Sequence, residues 1–110
     1  MKLPNSSKAV VDIKKLLDYA LNPSHPRGKH KARVFKSVLG ITEEDAEWLR
    51  QQALWAAANS EVISETQSVF GNKYVIDANI SHQEKSAIVR FSWIIEHGTD
   101  FPRLTTCFVK

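Results

Sequence analysis

His25 and His30 stand in the stretch NPSHPRGKHKARVF, which also carries Arg27, Lys29, Lys31 and Arg33 and no acid. An imidazole titrates near neutral pH and can pass a proton to or from a reacting oxygen. Ammonium and guanidinium groups stabilise charge growing on a phosphate. Together these types suit metal-independent cleavage of a phosphodiester. A base takes the proton from a ribose 2′-OH, cations hold the phosphate, and an acid protonates the 5′ oxygen. His30 is the candidate base or acid. Lys29, Lys31 and Arg33 are candidate phosphate contacts, with His25 and Arg27 beside them. The same residues also suit an ordinary exposed basic turn.

A second polar set emerges from strand alternation in the C-terminal half: Asp77, Asn79, Arg90, Ser92, Arg103 and Thr105 fall on one sheet face. Arg90 and Thr105 join His30 as candidate catalytic residues. Ser92 and Arg103 join the substrate-binding set, since a guanidinium offers paired donors in a geometry that lysine cannot imitate. A polar face also arises from solvation alone. No metal or cofactor is expected. His25, His30, His82 and His97 are scattered, no cysteine pair or His-x-x-x-His occurs, and no Gly-rich phosphate loop is present. Cys107, in an apolar strand, reads as inert core. Trp48, Trp55 and Trp93 fall at periods that point inward.

The elements that must position these groups follow from the apolar period, which changes once, near the middle of the chain. Ile13, Leu16, Leu17 and Ala20 form a helical stripe behind Asp12, a natural N-cap, and Pro23 stops that helix at Asn22. A second helix over about 29–39 presents Val34, Val38 and Leu39 and closes at Gly40. Thr42 followed by Glu43, Glu44 and Asp45 makes a capping box for a third helix, whose stripe is Trp48, Leu49, Ala53, Ala56 and Ala57. After Ser60 the pattern is that of strands. EVISETQSVF and KYVIDANI are separated by Gly71 and Asn72, a two-residue turn signal. SAIVRFSWIIEH places Val89, Phe91 and Trp93 together. RLTTCFV places Leu104, Thr106 and Phe108 opposite Arg103, Thr105 and Cys107. The fold class is therefore α+β, with about three N-terminal helices packed on one face of a four-stranded antiparallel sheet. The Asn22–Lys29 segment, with two prolines and a helix on each side, is expected to be an ordered turn.

LPN near the start, NPSHPRGKHKARVF, LG before the acid-rich capped helix, WII and the terminal PRLTTCFV together resemble a bacterial domain-of-unknown-function family of the DUF6883 type. The layout, a helical part with a Lys and His motif followed by a four-stranded antiparallel sheet, also resembles the ribonuclease toxins of the barnase, EndoU and RelE type. That likeness implies a small toxin-like domain acting as a metal-independent endoribonuclease. RNA would be its substrate, and a small acidic antitoxin or immunity protein its partner. The alternative is a non-catalytic interaction module that uses the same basic end to bind an acidic protein or nucleic acid. A third reading is an immunity or structural protein pairing through a sheet edge.

Composition is compatible with each reading. The chain of 110 residues, 43% apolar, suffices for one modest core and is expected to be a single domain over 1–110, helical to about 60 and sheet from about 61. The net charge of +3 is unevenly spread, positive over 27–36 and negative over 43–47. One cysteine and no long apolar run suggest a reducing cytoplasm and no membrane association.

Overall fold

In the computed structural model, which describes residues 1–110, Asp12 opens the first helix by accepting the Lys14 N–H at 3.0 Å. Helix α1 (13–20) begins with α-type bonding at Ile13–Lys15 and widens to π-type bonding over Leu16–Ala20. Leu16 and Ala20 are buried, and Ile13 and Leu17 pack beside them. Helix α2 (29–39) likewise passes from Lys29–Val34 to a π-type turn, Phe35–Leu39, and ends at Gly40 with φ 70. Its buried stripe is Ala32, Phe35 and Leu39; Val34 and Val38 face solvent. This corrects the expectation for α2, because Phe35 sets the inward direction and Val34 and Val38 lie off its line.

Helix α3 (Ala46–Asn59) follows a 3-10 turn at Glu43–Asp45. The capping box forms as the sequence indicates, with the Thr42 N–H donating to Asp45 Oδ2 at 2.9 Å. Leu49, Ala53, Ala56 and Ala57 are buried, so short side chains let the sheet approach. Trp48 is half-buried against the His82 ring, with centroids 4.7 Å apart. Trp55, expected in the core, is instead 55% exposed. It sits two positions past Ala53, on the far side of the helix from that stripe.

The sheet is a meander in the order β1 (Val62–Gln67), β2 (Gly71–His82), β3 (Lys85–Glu96), β4 (Arg103–Val109), antiparallel throughout. The first turn is not at Gly71 and Asn72. It lies at 68–70, where the Ser68 N–H donates to the Gly71 carbonyl at 2.9 Å, and Gly71 already belongs to β2. A tight turn at Gln83 and Glu84 sets the β2–β3 register, which puts Tyr74 beside Trp93, Ile76 beside Phe91 and Asp77 beside Arg90. Val89, Phe91 and Trp93 are fully buried under the helices, and Arg90 and Ser92 face away, as alternation requires.

β4 departs from strict alternation. Ser92 pairs with Thr106 but Trp93 pairs with Leu104, so Thr105 is the extra residue of a β-bulge. Leu104 and Cys107, expected on opposite faces, are therefore both buried. Burial pushes the Cys107 thiol up to about 12, which leaves it unreactive. The chain near Val10 covers the start of β4: the Val10 N–H donates to the Pro102 carbonyl at 2.9 Å and the Leu104 N–H to the Val10 carbonyl at 3.0 Å. No helix is long and apolar enough to cross a membrane.

Candidate functional site

Residues 22–28 form a hydrogen-bonded turn between α1 and α2. Asn22 Oδ1 accepts the Ser24 N–H at 2.9 Å, and His25 Nδ1 accepts the N–H groups of both Arg27 and Gly28 at 2.9 Å. The His25 ring then packs edge to face on Tyr19 of α1, with centroids 4.7 Å apart. In the neutral ring this places the proton on Nε2, so His25 is built to hold the loop and to donate. Gly28 is required by space: a Cβ there would collide with the Tyr19 carbonyl oxygen and stand 2.9 Å from its carbon. Close approach of α2 to α1 is what sets the position of Lys31.

Lys31 reaches across to β4. Its Nζ donates to Thr106 Oγ1 at 3.2 Å and lies 5.0 Å from the centre of the Tyr19 ring and 5.2 Å from that of Phe108. Thr106 and Phe108 are in register with the outward residues Ser92 and Arg90, so Lys31 curls round the edge strand. Lys15, Tyr19, Lys31, Thr105 and Thr106 line a cleft of about 420 Å³ between the two helices and β4. Two ammonium groups and the Thr106 hydroxyl, with no carboxylate among the lining residues, are donors of the kind that suit an anion of phosphate type.

α2 divides the basic cluster instead of gathering it. Lys31 faces the cleft just described, while Arg33 and Lys36 line a separate one with Pro23, Thr42 and Glu43. Arg27 and His30 are exposed, and Lys29 is half-buried. The ion pairs of the chain involve the N-terminus, Lys2, Lys8, Arg50, His82, Arg90, Arg103 and Lys110, and none of the cations of 27–36. This positive charge is therefore open to an external anion.

The outer sheet face is different, because its arginines are occupied. Arg90 Nε and Nη2 donate to the two Asp77 oxygens at 2.8 and 3.0 Å, and Lys110 reaches the same carboxylate at 3.1 Å. Arg103 donates to Glu96 at 3.1 Å. Thr105 Oγ1 donates to the Ser92 carbonyl at 3.0 Å. Of the residues singled out in the sequence, Thr105 and Lys31 share the cleft, with His25 behind its Tyr19 wall. His30, Arg90, Ser92 and Arg103 are not among its lining.

The Arg90 guanidinium, assisted by Lys110, holds the Asp77 carboxyl below the usual carboxylate range against the opposing effect of burial. A carboxyl whose folded pKa is depressed stabilises the fold above its unfolded pKa, and that contribution fades as pH falls through the folded value. The stability gap between wild type and Asp77→Asn is thus expected to be widest at neutral pH and to shrink in acid. Urea midpoints measured across the acid range check this; parallel curves would refute it.

Lys15, Tyr19 and Thr106 line the candidate cleft without being singled out by sequence patterns. Lys15 and Tyr19 lie on an ordinary helix face, and Thr106 comes to the cleft through the bulge, 75 residues from Lys31. The one local signal is the Gly28 that follows the proline turn.

The model of a family described as a domain of unknown function (DUF6883) matches residues 2–110. A chain in the solved contact-dependent growth inhibition toxin–immunity protein complex from Klebsiella pneumoniae 342 shares the fold. It is 15% identical, with a TM-score of 0.69 over 92% of this chain and 99% of that one. No curated protein sequence matches.

Proposed function

The chain belongs to the DUF6883 family, and from that premise we propose that it is a toxin-like domain that binds RNA in the β4 cleft and cleaves it without a metal. The observation that carries this reading is Lys31, an ammonium without a carboxylate partner, held between two aromatic rings and bonded to a threonine hydroxyl at the cleft. Lys31 and Lys15 neutralise a phosphate, and Thr106, whose Oγ1 accepts from Lys31, keeps its O–H free to donate to a phosphate oxygen. His30 lies outside the lining of that cleft, exposed on the first turn of α2, and is assigned the proton transfer at the ribose 2′-OH or the 5′ oxygen of a strand that extends from the cleft past that turn. The fold shared with a chain of a toxin–immunity protein complex supports the coarser part of this reading, a toxin-like or partner-interacting small domain. It also supports a protein partner, for which an acidic immunity protein fits the open positive charge at 27–36.

One observation favours the non-catalytic module instead: both outer-face arginines are engaged by carboxylates, so neither Arg90 nor Arg103 is free to stabilise a transition state. A cleavage assay on mixed RNA with excess chelator separates the two. Cleavage that persists supports the enzyme; no cleavage by the wild type together with tight, salt-sensitive binding supports the module. In either case Lys31→Ala is expected to weaken RNA binding at low salt and to reduce the log–log salt slope by about 0.7–0.9, the share of one phosphate contact. An unchanged slope would exclude Lys31 from the site.

A further inference from the structure

A second concavity, of about 310 Å³, lies on the outer face of the sheet and is lined by Thr66 of β1, Lys73 and Val75 of β2, Ser92 of β3, and Thr105 and Thr106 of β4. The last two residues also line the cleft at Lys31. The bulge makes this sharing geometric. By adding a residue opposite Ser92 and Trp93 it sets two hydroxyl side chains side by side at the point where the sheet edge turns from the helix side to the outer side. Lys31 marks that corner, since it comes from the helix side and bonds to Thr106, which is in register with outward Ser92. Lys73 is exposed and in no ion pair, and no carboxylate lines either concavity.

We infer that the two concavities form one path, and that its ligand is an unpaired polynucleotide strand running from Lys15 and Lys31, over the Thr105–Thr106 bulge, to Lys73. The inference rests on the reading of the β4 cleft as a phosphate site and extends it to a second subsite and a substrate class. Each concavity, at about the lower end of ligand-pocket volumes, takes about one nucleotide. A duplex presents its phosphates on a stiff convex cylinder and cannot follow a path that bends round an edge strand. An unpaired strand can, because its backbone is flexible enough to follow a line of lysines round a bend.

Oligodeoxyuridylates test this, because they lack the 2′-OH that attacks the phosphate in cleavage. Fluorescence anisotropy at low salt would compare deoxyuridine 5′-monophosphate, an octanucleotide and a duplex of the octanucleotide's length. The octanucleotide is expected to bind most tightly. Lys73→Ala should weaken the octanucleotide several-fold and reduce its salt slope by about 0.7, while the mononucleotide, which the Lys31 cleft alone can hold, still binds. Lys31→Ala should weaken both, and Lys85→Ala, off the path, should weaken neither. A duplex that binds as tightly as the single strand, a full salt slope in Lys73→Ala, or an equal loss in Lys85→Ala would overturn the path. Unchanged mononucleotide binding by Lys31→Ala would instead overturn the underlying cleft reading.

Discussion

His30→Ala is expected to slow RNA cleavage by about two to four orders of magnitude, the usual worth of a positioned proton-transfer group, while RNA binding changes far less. The variant is a clean probe because the ring is exposed on the first turn of α2 and makes no hydrogen bond within the chain that its loss would break. A surface substitution of this kind shifts stability by about 0.5 kcal/mol at most. His25 provides the contrast. Its Nδ1 holds two backbone N–H groups and its ring supports Tyr19, so His25→Ala should lower stability and RNA affinity together. Single-turnover rates alongside thermal melts distinguish the two histidines. A His30→Ala protein that cleaves at the wild-type rate would remove the imidazole from the mechanism, whatever the state of the binding cleft.

Features set by local chemistry are legible in the sequence. Asp12, the Thr42–Asp45 pair and Gly40 mark helix ends because caps and positive φ act within one turn of chain. The Val89, Phe91 and Trp93 face follows from the two-residue period of a strand. Features set by contacts between distant segments are not legible there. Phe35, not Val34 or Val38, turns α2 inward because it is the bulk that the core between helix and sheet accepts. The bulge at Thr105 arises where β4 must bury both Leu104 and Cys107, three positions apart, against a regular partner strand. The candidate site suffers most from this limit. The basic residues of 27–36 are contiguous in sequence, yet a helix points neighbours in different directions, so Lys31 and Arg33 enter different clefts. Arg90 and Arg103 read as free donors in the sequence, but the register sets Asp77 opposite Arg90 and brings the Glu96 carboxylate within reach of Arg103.

Gly28→Ala is expected to destabilise the fold by about 1–3 kcal/mol and to reduce RNA affinity at the same time. Gly28 has φ -83 and ψ -13, a conformation open to alanine, so backbone preference does not oppose the change. By restricting the unfolded chain, alanine would even stabilise by about 0.4–1 kcal/mol at a site with room for it. Here there is no room: the new methyl group meets the Tyr19 backbone carbonyl, and no side-chain rotation relieves it. Relief requires the start of α2 to move away from α1. That movement separates Lys31 from the Tyr19 ring and weakens its bond to Thr106, so the cleft loses its best-placed cation. Gly40→Ala supplies the control. Its positive φ costs alanine about 1–2 kcal/mol, but the nearest side chain is Lys85, remote from the cleft. Chemical unfolding and RNA titration of both variants should therefore show comparable losses of stability, with a loss of affinity confined to Gly28→Ala. If Gly28→Ala instead kept wild-type stability and affinity, the contact between α1 and α2 would not be what positions Lys31.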